Sequence, residues 1–166
     1  MRAKPILVIV GALLAIIGVG VLAYRWEVPR QPTLCQVCSR PVPQQTAYRM
    51  ETARGTAIHA CCPRCAMHDM VDHPGTVRRA WATDFDSGRM ISAEAAYYDE
   101  GGDAQYCTRG HERMEREPEG VRERVYDRCL PTLVAFATRD GAEAYRRQHG
   151  GRVLTYDEAL ESVRSQ

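Results

Sequence analysis

The chain has 166 residues, of which 45% are hydrophobic and 26% charged, which is enough for one globular domain and excludes an intrinsically disordered chain. The formal net charge is +1, and −1 once Arg2 and Lys4 are set aside, so there is no broad positive field for wrapping nucleic acid, and no nucleic-acid partner is expected. Seven cysteines are an odd number, so disulfides alone cannot consume them, and their grouping in close pairs favours metal over a disulfide framework.

Residues 6–23 carry no charge, follow Arg2 and Lys4, and are followed by Tyr24, Arg25 and Trp26. At about 1.5 Å per residue such a run nearly spans a hydrocarbon core of about 30 Å. Residues 1–26 are therefore expected to be an N-terminal membrane anchor, a single transmembrane helix in the inner (cytoplasmic) membrane with residues 24–166 on the extracytoplasmic, periplasmic side. A cleaved signal peptide ending at Ala23 is the alternative. Residues 27–45 hold Pro29, Pro32, Pro41 and Pro43 and read as a linker running into the first cysteine pair.

Residues 47–50 and 56–60 read as strands around the turn Ala53-Arg54-Gly55, and residues 63–71 as a short helix. Residues 80–84 and 89–92 read as a hairpin around Asp86-Ser87-Gly88. Residues 95–98 suit a strand or a helical turn, and a helix is expected near residues 119–127. Residues 133–137 form an apolar strand. Thr138 caps a helix over 139–148 that ends at Gly150-Gly151, residues 152–154 are a short strand, and Thr155 to Glu158 spell a capping box for the last helix. The fold class is α+β: a small mixed or antiparallel sheet with helices and a cysteine-rich, zinc-ribbon-like front end.

The chemistry centres on Cys35-Gln-Val-Cys38 and Cys62-Pro-Arg-Cys65, which are separated by 23 residues. Two residues between cysteines let both sulfurs point to one centre from a tight knuckle. Two knuckles supply four thiolates in a tetrahedron, which suits Zn(2+), Cu(I) or another thiophilic ion. Cys61 stands beside Cys62, so either could be the ligand. His59 lies two residues before Cys61, and His68 one helical turn after Cys65. Three plainer readings stand beside this one. The pairs could be redox dithiols, although no thioredoxin-like strand–helix context surrounds them. The site could be a structural zinc staple for a small domain, making the protein an adapter for protein–protein interaction. The histidines could be ordinary polar residues.

The second half carries Trp81-Ala-Thr-Asp84-Phe, Gly88-Arg-Met-Ile91-Ser-Ala93, Ala96-Tyr-Tyr98, Ala135-Phe136-Ala137, Ala142-Glu-Ala144-Tyr and His149-Gly-Gly-Arg-Val-Leu154. Over residues 33–166 this pattern resembles the NosL family, copper-binding accessory proteins of nitrous oxide reductase, whose fold also resembles the core of the organomercurial lyase MerB. The resemblance implies a NosL-like metal-binding domain that is not an enzyme. It would act as a metallochaperone assisting metal supply to, or assembly of, a periplasmic or membrane metalloenzyme or transporter. The family's Cys-x-x-Cys-Gly-Met run falls on Cys35 to Arg40, so Ser39 replaces the glycine and Arg40 the methionine. Counting back from Phe136 places a second family methionine on Cys129. Cys129 is thus a further candidate ligand, and the alternative for it is a disulfide with Cys107. A MerB-like cleavage of a carbon–mercury bond would need two thiols and a carboxylate, for which Asp84 and Cys129 are conceivable partners.

Overall fold

The computed structural model describes residue 13 and residues 16–20, 34–104, 106–107 and 127–166. The chain divides into two compact units, Met1–Gln31 and Pro32–Gln166. In the first, residues 13 and 16–20 are helical and exposed. No helix among the described residues is long and apolar enough to cross a membrane, which corrects the expected transmembrane helix and the single-pass inner-membrane location drawn from it. The rest of the 6–23 run lies outside the described residues, as does the expected helix near 119–127 except for Asp127.

The second unit is α+β with antiparallel sheets. Strands β1 (Tyr48–Thr52) and β2 (Ala57–Ala60) form the first hairpin, and helix α1 follows over Pro63–Asp72. Strand β3 (Val77–Thr83) turns into β4 (Met90–Ser92), and these four strands form one sheet in the order β2-β1-β3-β4. A single 3-10 turn, Ala93–Ala95, leads to β5 (Tyr97–Glu100). Strand β6 (Leu133–Phe136), helix α2 (Arg139–His149), strand β7 (Arg152–Leu154) and helix α3 (Tyr156–Arg164) complete the chain, with β6-β5-β7 as a second sheet. An isolated parallel bridge between Asp84 and Ala135 joins the two sheets.

Local signals set the back half. Thr138 accepts from the Gly141 N–H at the start of α2, and Thr155 with Glu158 forms the reciprocal capping box of α3. Both residues satisfy backbone donors that helix geometry leaves without partners. Phe136, Val134 and Tyr145 pack with Phe85 into an aromatic-rich core in which ring centroids lie 5.2–5.9 Å apart. Gly151, at φ 91°, permits a close approach of β7: a Cβ there would lie 2.5 Å from Asp99 Oδ1.

The larger core cluster differs in kind. Tyr48, Met50, Met67, Tyr98 and Leu133 supply its apolar bulk, but six of the seven cysteines are buried in it as well. A buried ion pair links α1 to the second sheet. Arg64, with no exposed surface, donates to Glu100 Oε1 at 2.6 Å, and Glu100 also accepts from Arg152 Nε at 2.7 Å and from the Ser162 hydroxyl. The α1 residue lying between Cys62 and Cys65 is thereby tied to the second sheet.

Candidate metal centre

The first knuckle is built from residues 34–41. Cys35 donates its N–H to the Arg40 carbonyl at 2.7 Å, and Ser39 donates back to Cys35 O at 2.8 Å. Ser39 takes φ 60°, the left-handed conformation that glycine adopts most readily. The turn aims two backbone N–H groups, from Val37 and Cys38, at Cys35 Sγ, each at 3.4 Å. Gln36 clamps the knuckle to β2. Its N–H donates to His59 O at 2.9 Å, and its side-chain oxygen accepts from the His59 N–H at 2.7 Å. His59 thus contributes through its backbone, and its ring sits in neither sulfur group described below.

The second cysteine run sits where β2 gives way to α1. Cys62 is the residue preceding the helix, with extended backbone at φ −157° and ψ 163°, and Pro63 follows at the first helical position. Its sulfur accepts from the Cys65 N–H at 3.4 Å, the role that a Ser or Asp oxygen usually fills. Successive side chains of an extended segment point to opposite sides. Cys61 and Cys62 therefore diverge, although their sulfurs still lie 3.9 Å apart.

Two sulfur groups result. Cys35, Cys38, Cys61 and Cys65 bring four sulfurs within 4.8 Å of one another, with Cys35–Cys65 at 3.8 Å and Cys38–Cys61 at 3.5 Å. Cys61, Cys62 and Cys129 form the second group, with Cys61–Cys129 at 3.7 Å. With a metal–sulfur bond of about 2.3 Å, two sulfurs on a single tetrahedral or trigonal ion lie about 3.7–4.0 Å apart, so these spacings suit a shared ion. Of the four cysteines expected from the two Cys-x-x-Cys pairs, three fall in the first group and Cys62 in the second, while Cys61 belongs to both. The signal for that division was present in the sequence as Pro63, which marks the helix start. Neither group includes His68, Asp84 or Cys107.

All seven cysteines are free thiols, so Cys107 and Cys129 form no disulfide in this structure. The Cys107 thiol instead donates to Cys61 O at 3.2 Å, beside the Thr46 hydroxyl, which donates to the same carbonyl at 2.8 Å. Asp84 is occupied structurally. It accepts from the Ser87 hydroxyl, from Ser87 N–H at 3.1 Å and from Ala137 N–H at 2.8 Å, and against the cost of burial these bonds hold its carboxyl below the usual range.

The packed thiols perturb one another in opposite directions. Hydrogen bonds from Cys61 and Cys65 pull the Cys35 thiol well below its ordinary value, and contacts with Cys107 and Cys61 do the same for Cys129. Cys61 and Cys62 are raised, chiefly by Cys107, and Cys65 chiefly by Cys129; burial raises Cys38. Arg40 adds a fixed positive charge: against the cost of burial, its guanidinium is held charged chiefly by the hydrogen bond to Asp127, with Cys129 and Cys38 adding to it. It donates to Asp127 Oδ1 at 2.8 Å and to Cys107 O at 2.6 Å. In space Arg40 is paired with Asp127 and places positive charge beside Cys38 and Cys129.

No family model matches the chain. It is 26% identical over 136 residues, 81% of its length, to the HTH-type transcriptional repressor CutR of Bacillus subtilis (strain 168), and it spans about 60% of that protein's length. The fold is similar to that of the copper chaperone NosL from Shewanella denitrificans, with a TM-score of 0.57 and 15% identity over 78% of this chain and 94% of that one. The NosL-like fold is thus shared at a distant level, and the solved neighbour is a chaperone, not an enzyme.

Proposed function

We propose that the protein binds Cu(I) and serves as a metal-holding accessory or sensing domain for a partner protein. The observation that carries this reading is the convergence of Cys35, Cys38, Cys61 and Cys65 in a pocket where three of the four are buried. An all-sulfur donor set selects soft ions over Mg²⁺, Ca²⁺ or Mn²⁺. The fold likeness to a copper chaperone supports copper among the soft ions. Cys38, half-buried, is the ligand through which an ion would reach the site from solvent. The likeness to a transcriptional repressor supports a sensing role, in which metal occupancy would be read by further protein, over delivery to an enzyme. The chain's own charge offers nucleic acid no binding field, so this domain would sense metal and leave DNA contacts to others.

The test is metal analysis of the purified full chain followed by competition between Cu(I) and Zn²⁺ against a Cu(I) chelator. Copper retained against the chelator, and displacing zinc, is the expected result. Stoichiometric zinc that a Cu(I) source cannot displace would overturn the copper reading and favour a structural zinc site, which four thiolates also satisfy.

A further inference from the structure

The four-sulfur site does not exhaust the thiols. Cys62 and Cys129 lie beside it, both buried, and their only sulfur in common with the first group is that of Cys61. Cys61 Sγ lies 3.5 Å from Cys38, 3.7 Å from Cys129 and 3.9 Å from Cys62. A thiolate has lone pairs enough to bond two soft ions at once, and the Cys61 sulfur is the one that belongs to both groups. The positive Arg40 guanidinium acts on both, since Cys38 belongs to one group and Cys129 to the other.

We infer that the protein holds a polynuclear Cu(I)–thiolate cluster, with one ion in the Cys35/Cys38/Cys61/Cys65 group, a second in the Cys61/Cys62/Cys129 group, and the Cys61 sulfur bridging them. This rests on the copper reading above and extends it from one ion to at least two. Each ligating thiol gives its proton to solvent as its sulfur–copper bond forms, and no electron is transferred, because copper enters and stays as Cu(I). The second group draws its sulfurs from two places far apart in the chain. Cys61 ends the first hairpin, Cys62 opens α1, and Cys129 precedes β6. Its ion would therefore staple the segment before β6 to the start of α1. The arrangement also orders the ions: the outer site contains the half-buried Cys38, and every ligand of the inner one is buried.

The experiment is an anaerobic titration of the reduced full chain with a Cu(I) salt in the presence of a competing Cu(I) chelator, with copper per chain counted and X-ray absorption recorded at the copper edge. The expected result is about two ions per chain with copper–copper scattering at short distance, and Cys129→Ser falling to about one ion with the scattering lost. One ion per chain in both the native chain and Cys129→Ser would overturn the cluster and leave mononuclear Cu(I) binding intact. Two ions without copper–copper scattering would overturn the bridge. Failure to hold any copper against the chelator would overturn the copper reading itself. The native-chain scattering decides the matter even if Cys129→Ser fails to fold, and Cys62→Ser gives a second variant of the same inner site.

Discussion

The two cores of this domain are filled by different means. Around α2 and β6, interior space is occupied by Phe85, Phe136, Tyr145 and Val134, and the elements begin and end at local signals such as Thr138 and Thr155. Around α1, five cysteines from residues 35–65 are joined by Cys107 and Cys129 from far along the chain, and polar sulfur takes the place of aliphatic carbon. The back half stands on hydrophobic packing, helix caps and the buried Glu100 ion pair. The front half is packed as a container whose walls are also ligands, so its stability is linked to what it holds.

The largest expected effect tests that linkage. Cys61→Ser removes the one sulfur belonging to both groups. Cu(I) affinity should fall by more than the roughly hundredfold that losing a hydrogen-bonded neighbour of a ligand costs. Chelator competition measures the loss, while hydrogen exchange at α2 and α3 should stay at native protection. Loss of protection in α2 would show that the two halves are one cooperative unit.

The next effect probes the join. Glu100→Ala leaves Arg64 buried without its counter-ion, although Arg64 Nε and Nη2 already lack hydrogen-bond partners among the described residues. Breaking a buried pair in this way costs about 3–5 kcal/mol, to be read by urea denaturation of the reduced, metal-free chain. Because Arg64 sits in the Cys62–Cys65 run, the same variant should also weaken metal binding. An unchanged affinity would mean that α1 holds its sulfurs without help from the second sheet.

Asp99 concerns the back half alone. Burial pushes its carboxyl up to about 6, against the pull of Arg146 and His149, and neither of its oxygens has a hydrogen-bond partner among the described residues. A carboxyl raised on folding binds its proton more tightly in the native state. Its ionisation cost is therefore absent below about pH 4, grows as the pH rises, and is fully present above about pH 6. Asp99→Asn should be more stable than the native chain by up to about 3 kcal/mol at pH 8, with the difference vanishing near pH 4. Glu100, next in the strand, is held below its ordinary value by Ser162, Arg64 and Arg152 despite burial, so its own contribution runs the other way and cancels in the comparison. A difference that does not change with pH would remove Asp99 from the account.

The smallest effect is at the capping box. Thr155→Ala should cost about 1 kcal/mol by thermal or urea unfolding and leave Cu(I) binding unchanged, because the lost hydrogen bonds serve only the first turn of α3.

Legibility in the sequence followed the same division. The helix over 139–149, the strand at 152–154 and the capping box at Thr155 were readable because each depends on residues within a turn of one another. The expected hairpins appeared with ends shifted by a few residues, and the single expected sheet became two, since strand partnering between β5 and β7 is decided across the fold. The apolar run at 6–23 suggested a membrane span from composition alone, and the described helical residues do not supply one. Arg40 looked like a lost ligand because spacing cannot show that its side chain reaches Asp127, 87 positions away.

By itself the sequence determined that sulfur would be concentrated near residues 35–65, that residues 35–38 would form a tight knuckle, and that an α+β scaffold would stand behind it. All of these are consequences of neighbouring residues. Only the tertiary structure decided which sulfurs meet. Cys61 and Cys62 are chemically identical neighbours, and either suits the spacing to Cys65. Pro63 and the extended backbone at Cys62 turn one sulfur to the helix start, while its neighbour points the other way, toward Cys38 and Cys129. Residues that far apart in the chain meet only once the two sheets have packed.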